Sequence, residues 1–169
     1  GTSIHHLSFN ELDIADYKTF FKLKPPLRSE NDRLATIEAV RDGTIDIVSS
    51  MHTPQDEESK RLPFEDAASG AIGLETILPA MLRLYHSNHL KMDQIFNAIS
   101  LKPAKRLGLA CGSLKHKKIA DLIVFDADKP FILNRELLHS KVKNTPFDGH
   151  KLQGQVLRTF VKGKEVFSL

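Results

Sequence analysis

At 169 residues with a formal net charge of +3, the chain has room for one domain, or for one domain with an appendage. Its 41% hydrophobic and 27% charged residues are those of an ordinary globular chain and exclude a collagen-like or wholly disordered one. The small charge, with Lys115-His116-Lys117-Lys118 as the one dense basic run, argues against a nucleic-acid surface, and that run reads as a solvated loop.

Residues 1–9 read as the end of a strand entering a loop, with no turn or helix before it, so the chain reads as beginning inside a larger fold. Gly1 looks like a tag remnant. Residues 10–28 are irregular and end in Lys24-Pro25-Pro26-Leu27-Arg28, where two prolines impose extended backbone. Ser29, with Asp32 three residues on, predicts a capped helix to about Arg41 that stops at Asp42-Gly43. A β-branched strand is predicted over residues 45–50, followed by a polar loop over 52–72, long enough to suggest that it covers a site.

A helix is predicted from Gly73, with Leu74, Ile77, Leu78, Met81, Leu82 and Tyr85 as its core face and a kink at Pro79. A second helix is predicted over about 92–100 and a short third from Pro103 to Gly108. Beyond residue 112 the pattern turns to strands: 119–126, 131–133, and a hairpin of 155–161 and 165–168 turning at Lys162-Gly163-Lys164. The boundaries are therefore 1–112 for an α/β part and 113–169 for a mostly β tail.

The lone cysteine, Cys111, permits no internal disulfide and suits a reducing compartment; it reads as a packing residue rather than a nucleophile. No apolar run approaches the roughly 20 residues that cross a bilayer, and no signal-peptide pattern opens the chain. The expected location is cytoplasmic. Two strands and a few helices cannot close a β/α barrel, which takes eight strands and about 250 residues. The strand over 45–50 therefore needs partners from elsewhere, or the chain is a fragment of a longer protein.

Six motifs in order carry a resemblance: Ile4-His5-His6-Leu7, Lys24-Pro25-Pro26-Leu27-Arg28, Asp42-Gly43-Thr44-Ile45-Asp46, Gly73-Leu74-Glu75-Thr76, Ala120-Asp121-Leu122-Ile123-Val124-Phe125-Asp126 and Lys143-Asn144-Thr145-Pro146-Phe147-Asp148-Gly149. With them the chain resembles the C-terminal half of dihydroorotases, in the cyclic amidohydrolase branch of the metal-dependent hydrolases, over nearly its whole length. The resemblance implies the C-terminal part of a TIM (β/α)8 barrel joined to a small β-sandwich tail. It implies an activity in pyrimidine biosynthesis, the interconversion of dihydroorotate and carbamoyl aspartate. One or two zinc ions would polarise the ring amide, and an Asp at the end of the last barrel strand would move the proton. The His-x-His metal pair would lie outside this chain.

Against that pattern the chain departs at three contacts. Where the family reads Asp-His-Ala-Pro-His, this chain reads Met51-His52-Thr53-Pro54-Gln55. A thioether at Met51 takes no proton near neutral pH and is a poor ligand for a hard or borderline cation. Gln55 carries no positive charge for a substrate carboxylate, and Lys24 stands where the family has a substrate-binding Asn. His5 alone matches a metal-binding position, with Ile4 a smaller departure beside it. Loss of a general base removes about 10²–10⁴ in rate. The expectation is a degenerate site at Met51, Gln55 and Lys24, with His5 a remnant ligand and no cofactor bound by this chain.

On residue chemistry alone, an adjacent pair on a strand faces opposite ways, so at most one of His5 and His6 faces a site. His52 reads as a loop histidine. Lys24 reads as solvated, with Asp56, Glu57 or Glu58 as conceivable partners. Glu75, His86 and His89 are placed on a helix, Glu75 stabilising its N-terminus. Residues 144–149 are predicted to form a turn docking the tail onto the barrel or a partner. The expected function is a non-catalytic dihydroorotase-like protein that partners aspartate carbamoyltransferase or itself. The alternatives are an active zinc-dependent cyclic amidohydrolase completed by its missing half, and a fragment without independent function.

Overall fold

The computed structural model describes all 169 residues, Gly1–Leu169. They form a two-stranded parallel sheet and a three-stranded antiparallel sheet, with helices between. Strand β1 (Thr2–Ser3) pairs parallel with β2 (Val48–Ser49), Thr2 opposite Val48 and Ser3 opposite Ser49. His52 continues the layer through a parallel bridge to Ala71, where the Thr53 N–H donates to the Ala71 carbonyl at 2.8 Å. Helix α2 (Glu30–Arg41) connects β1 to β2, which is the crossover that a parallel pair requires.

Both predicted strands are shorter than their apolar runs. After Ser3 the chain curls into a helical turn, α1 (Ile4–Ser8), whose His6 N–H is capped by the Ser3 hydroxyl at 3.3 Å. His5 and His6 therefore point about 100° apart on a helix rather than to opposite faces of a strand. At 45–50, Ile45 N–H bonds back to the Ala39 carbonyl at 2.7 Å, and Met51 turns into the left-handed region at φ 42°. Only Val48–Ser49 is left as strand.

Helix α2 begins as its sequence dictates. The Ser29 hydroxyl accepts from the Asp32 N–H, and the Asp32 carboxylate accepts from the Ser29 N–H, both at 3.2 Å. Ile37 and Val40 form its buried face, and Arg33 reaches back to the Leu7 carbonyl at 3.0 Å, tying α2 to α1. The long loop contains a short helix, α3 (Glu57–Arg61), capped by Asp56.

Helix α4 (Ile77–His86) starts four residues later than predicted. Pro79 thus falls in its first turn, where a backbone N–H has no intrahelical acceptor in any case, and no hydrogen bond is lost there. Leu78, Met81 and Leu82 are buried as expected, but Leu74 precedes the helix and is 63% exposed, and Tyr85 is also exposed. Glu75 likewise precedes the helix, and His89 follows it. The two helices predicted over 92–108 are one rod: α5 (Met92–Phe96), a π turn (Asn97–Leu101) and α6 (Lys102–Arg106). The wider π turn makes room for Pro103, whose ring would crowd the carbonyl four residues back. The rod ends at Gly108, φ 68°, as predicted. Cys111 is exposed, not packed.

The tail is an antiparallel sheet of β3 (Leu122–Ile132), β4 (Lys151–Val161) and β5 (Lys164–Ser168) in that order. The two strands predicted over 119–133 are one, broken by register shifts at Val124/Phe125 and Asp126/Pro130. The final hairpin turns at Lys162 and Gly163, both at positive φ, the hand that matches strand twist. Gly154, at φ 102°, lies where α4 crosses β4, and a Cβ there would strike Leu82.

Residues from both sides of position 112 share one core, in which Ile4, Leu7, Phe9 and Met81 join Leu133, Phe147 and Leu152. Phe147 is fully buried, with its ring 4.7 Å from Phe9 and 6.0 Å from His5. Truncating Phe147 to Ala is expected to destabilise the fold by about 3–5 kcal/mol, read as a lowered urea midpoint. A loss under about 1 kcal/mol would show that the tail is not part of the core.

Candidate functional site

The C-terminal ends of the parallel rungs place His5, Met51, His52 and Gly73 around one point. His5 follows β1 directly and is 1% exposed. Its Nε2 lies 3.3 Å from the Ile72 carbonyl, which can only accept, so Nε2 carries the proton and Nδ1 keeps the ring's lone pair. Burial, partly offset by that bond and reinforced by His6 and His52, pushes the His5 pKa down to about 4. The imidazole is neutral at pH 7. Gly73 stands against it: a Cβ there would meet the Ser50 carbonyl and lie 3.0 Å from His5 Cε1. Only glycine lets the chain pass between the histidine and the strand tip.

His6 does different work. Its Nδ1 is 2.7 Å from the Ser3 hydroxyl and its Nε2 3.1 Å from the Pro25 carbonyl, so the ring pins the Lys24-Pro25-Pro26 loop to α1. Lys24 itself is exposed and makes no ion pair; Asp56, Glu57 and Glu58 do not reach it. The solvated reading holds.

Met51 is 46% exposed at the tip, beyond β2. A positive φ there suits Asn or Asp better than a thioether side chain, because their short polar groups bond the local backbone. His52 is turned the other way, and its Nδ1 accepts the Gly73 and Leu74 N–H groups, each at 3.3 Å. It closes the strand tip against the entry to α4. Gln55 is held too: its side-chain amide donates to the Ser69 carbonyl at 3.1 Å and its N–H to Asn144 Oδ1 at 3.4 Å.

Asn144 is the residue whose importance the sequence understates. Its side-chain N–H₂ donates to the Thr53 and Gly70 carbonyls, each at 3.2 Å, and its own carbonyl accepts from Ile72 N–H at 3.1 Å. The predicted turn over 144–149 does dock the tail, by plugging into the α/β part. Glu75 gives a second tie. Rather than capping α4, it accepts from the N–H groups of His139 and Ser140 at 2.9 and 3.0 Å and from His139 Nδ1 at 2.9 Å. Burial pushes the Glu75 carboxyl up, but these donors outweigh it and hold it below the usual carboxylate range.

Chemically the tip offers one neutral buried imidazole and no carboxylate. No three His, Cys, Asp or Glu side chains of this chain come together as metal ligands. His5 supplies at most one donor, so these residues do not by themselves fit the zinc that the resemblance implies.

A profile described as "Amidohydrolase family" matches residues 4–166. The chain is 40% identical over 163 residues to the dihydroorotase of Ehrlichia chaffeensis (strain ATCC CRL-10679 / Arkansas), covering 96% of this chain and 36% of that protein. It is 39% identical over 166 residues to the dihydroorotase of Desulforapulum autotrophicum, covering 98% and 39%. Among solved structures it is similar to the L-hydantoinase (dihydropyrimidinase) from Arthrobacter aurescens, with TM-score 0.93, 30% identity and coverage of 98% and 38%. The dihydropyrimidinase from Brevibacillus agri NCHU1002 shares the fold at TM-score 0.90 and 22% identity. The chain thus spans well under half the length of these relatives.

Two outcomes follow from this geometry. Asn144→Ala strands two carbonyls and is expected to cost about 2–4 kcal/mol, with amide exchange rising selectively at 53–55 and 70–72; exchange unchanged there would contradict the clamp. In the metal-free chain, the unfolded state binds a proton at His5 near pH 6.5 that the folded state refuses until about 4. Stability from this group is complete above pH 6.5 and is lost as pH falls toward 4, by roughly 3 kcal/mol in all. An imidazole NMR titration of His5 with its midpoint near 6.5 would refute this.

Proposed function

The chain belongs to the amidohydrolase family, and from that premise we propose that it is part of a dihydroorotase-like protein of pyrimidine biosynthesis whose own site has lost its chemistry. The observation that carries this reading is the strand tip at Met51, where the resemblance calls for a proton-moving Asp. The side chain there is exposed and cannot accept a proton. Two further features support it. Gln55, in place of a second His, spends its amide on the Ser69 carbonyl, and Lys24 extends into solvent without a partner. The groups that hold the tip together, Asn144, His52 and Gly73, are intact, so the architecture is kept while the reactive positions are not.

In this reading the parallel rungs at 2–3, 48–49 and 71 are one sector of a barrel that the rest of the whole protein closes, which also covers otherwise unpaired strand edges. The half-exposed faces of β3–β5 join further strands in a composite sandwich. The role is then structural: the protein holds an assembly together, with aspartate carbamoyltransferase or a second copy of itself as the partner. No helix of the chain is long and apolar enough to cross a membrane.

An active zinc-dependent dihydroorotase is the second reading, and His5 favours it. Its neutral imidazole presents an Nδ1 lone pair with no partner in this chain, which is the state a metal ligand needs. The remaining ligands and an alternative base would then come from the rest of the protein.

Hydrolysis of dihydroorotate by the whole protein, with zinc content measured on the same sample, separates the two. The expected rate is at least about 10²-fold below that of an ordinary dihydroorotase. Stoichiometric zinc with turnover within about tenfold of such an enzyme would overturn the structural reading. The triple change Met51→Asp, Gln55→His, Lys24→Asn is expected to leave folding intact, because all three side chains lie at the solvent-facing tip or its loops. Co-purification with aspartate carbamoyltransferase tests the partner.

A further inference from the structure

Beside the strand tip, two adjoining hollows of about 530 and 150 Å³ lie between the 18–21 turn, α3 and the 135–148 loop, the smaller one reaching Gln55 and Asn144. They share Phe20, Glu57, Lys60 and Arg135 as walls. Lys60 is the unusual one. It is 4% exposed, and its ammonium donates to the Thr19 carbonyl at 2.8 Å and the Ala68 carbonyl at 2.7 Å. That leaves one of three N–H bonds without a partner, and no carboxylate lies within ion-pair reach. Burial, with Lys22 adding to it, pushes its pKa down to about 8. A buried cation without a counter-charge is costly.

The carboxylates on the walls do not supply that charge, because arginines already hold them. Arg61 pairs with Glu57 at 2.7 Å; Arg135 pairs with Glu136 at 3.1 Å and with Asp148 at 3.6 Å. Lys18 and Lys141 line the same walls and have no acidic partner. The cleft is therefore positive in excess. Arg135 is also held in place for recognition: its guanidinium sits 5.4 Å from the centre of the Phe20 ring and uses only Nε in its ion pairs, which leaves both Nη groups unbonded.

We propose that this cleft binds a small oxyanion, a phosphate or carboxylate group, with Lys60 as its buried counter-charge and the Arg135 fork and Lys18 as donors at its mouth. A planar guanidinium with both Nη groups unbonded matches the two-oxygen edge of such a group, and Lys60 lines the same hollows. The smaller hollow reaches Gln55 and Asn144 and so adjoins the loops of the Met51 tip, but none of the three proposed anion-binding side chains is a tip position, and occupancy does not require that tip to be catalytic.

Isothermal titration of the full-length protein with inorganic phosphate and, separately, succinate tests this at constant chloride. One saturable site per chain for either anion is expected, and the anion that binds identifies the head group. Arg135→Gln and Lys60→Met are each expected to weaken binding at least about tenfold, while Lys164→Gln on β5 leaves it unchanged. If Lys60→Met fails to fold, Arg135→Gln alone decides, since Arg135 is partly exposed at the mouth. Absence of saturable binding by both anions, or wild-type affinity in Arg135→Gln, would overturn the proposal.

Discussion

The side-chain amide of Asn144 donates to the carbonyls of Thr53 and Gly70 and accepts from the N–H of Gln55. Three stretches of chain that are remote in sequence are thereby fixed around one buried group. A polar side chain buried without such partners would cost a few kcal/mol, so the amide and the loops each depend on the other. Next to it, Phe147 enters the core beside Phe9 and His5. The tail sheet is anchored to the α/β part through this plug, and the end of the parallel layer takes its shape from it.

This arrangement separates holding the site from running chemistry in it. His52, Gly73, Ile72 and Asn144 work largely through backbone groups or close approach, while Met51 is 46% exposed and its side chain makes no hydrogen bond. A side chain in that position can change its chemistry without loosening the loops behind it. On the functional reading proposed above, this is how a fold survives the loss of an acid. His5 has a structural task of its own: it fills core space against Phe147 and bonds the Ile72 carbonyl.

Lys60 contrasts with these satisfied groups. His6 and Asn144 find partners for their side-chain groups within the chain, whereas the Lys60 ammonium finds carbonyls but no counter-charge among this chain's residues. Within this chain, a cation lines the cleft while arginines take up the surrounding carboxylates, and the chain's own charges leave a positive potential there.

How much of this was legible in the sequence depends on the range of the interactions. The Ser29–Asp32 cap, the stop at Gly108 and the turn at Lys162-Gly163 were readable because each is decided within a few residues. The apolar face of α4 was readable in part; its start was misplaced because the bonds that occupy residues 73–76 come from His52 and from the 139–140 loop. The strand at 45–50 is cut to Val48–Ser49 where Ile45 bonds back to Ala39 and Met51 turns to positive φ, and residues 4–8 curl into a helical turn capped by Ser3, choices that the apolar pattern alone does not record. The motifs themselves pointed to the amidohydrolase family and to the suspect positions Met51, Gln55 and Lys24. The sequence by itself thus determined the local caps and turns, the family and which residue types stand at the tip. Only the tertiary structure decided that His5 is buried and neutral, that Asn144 clamps the loops and that Lys60 lacks a counter-charge, because burial and hydrogen-bond partnership belong to segments brought together by folding and not to any one stretch of chain.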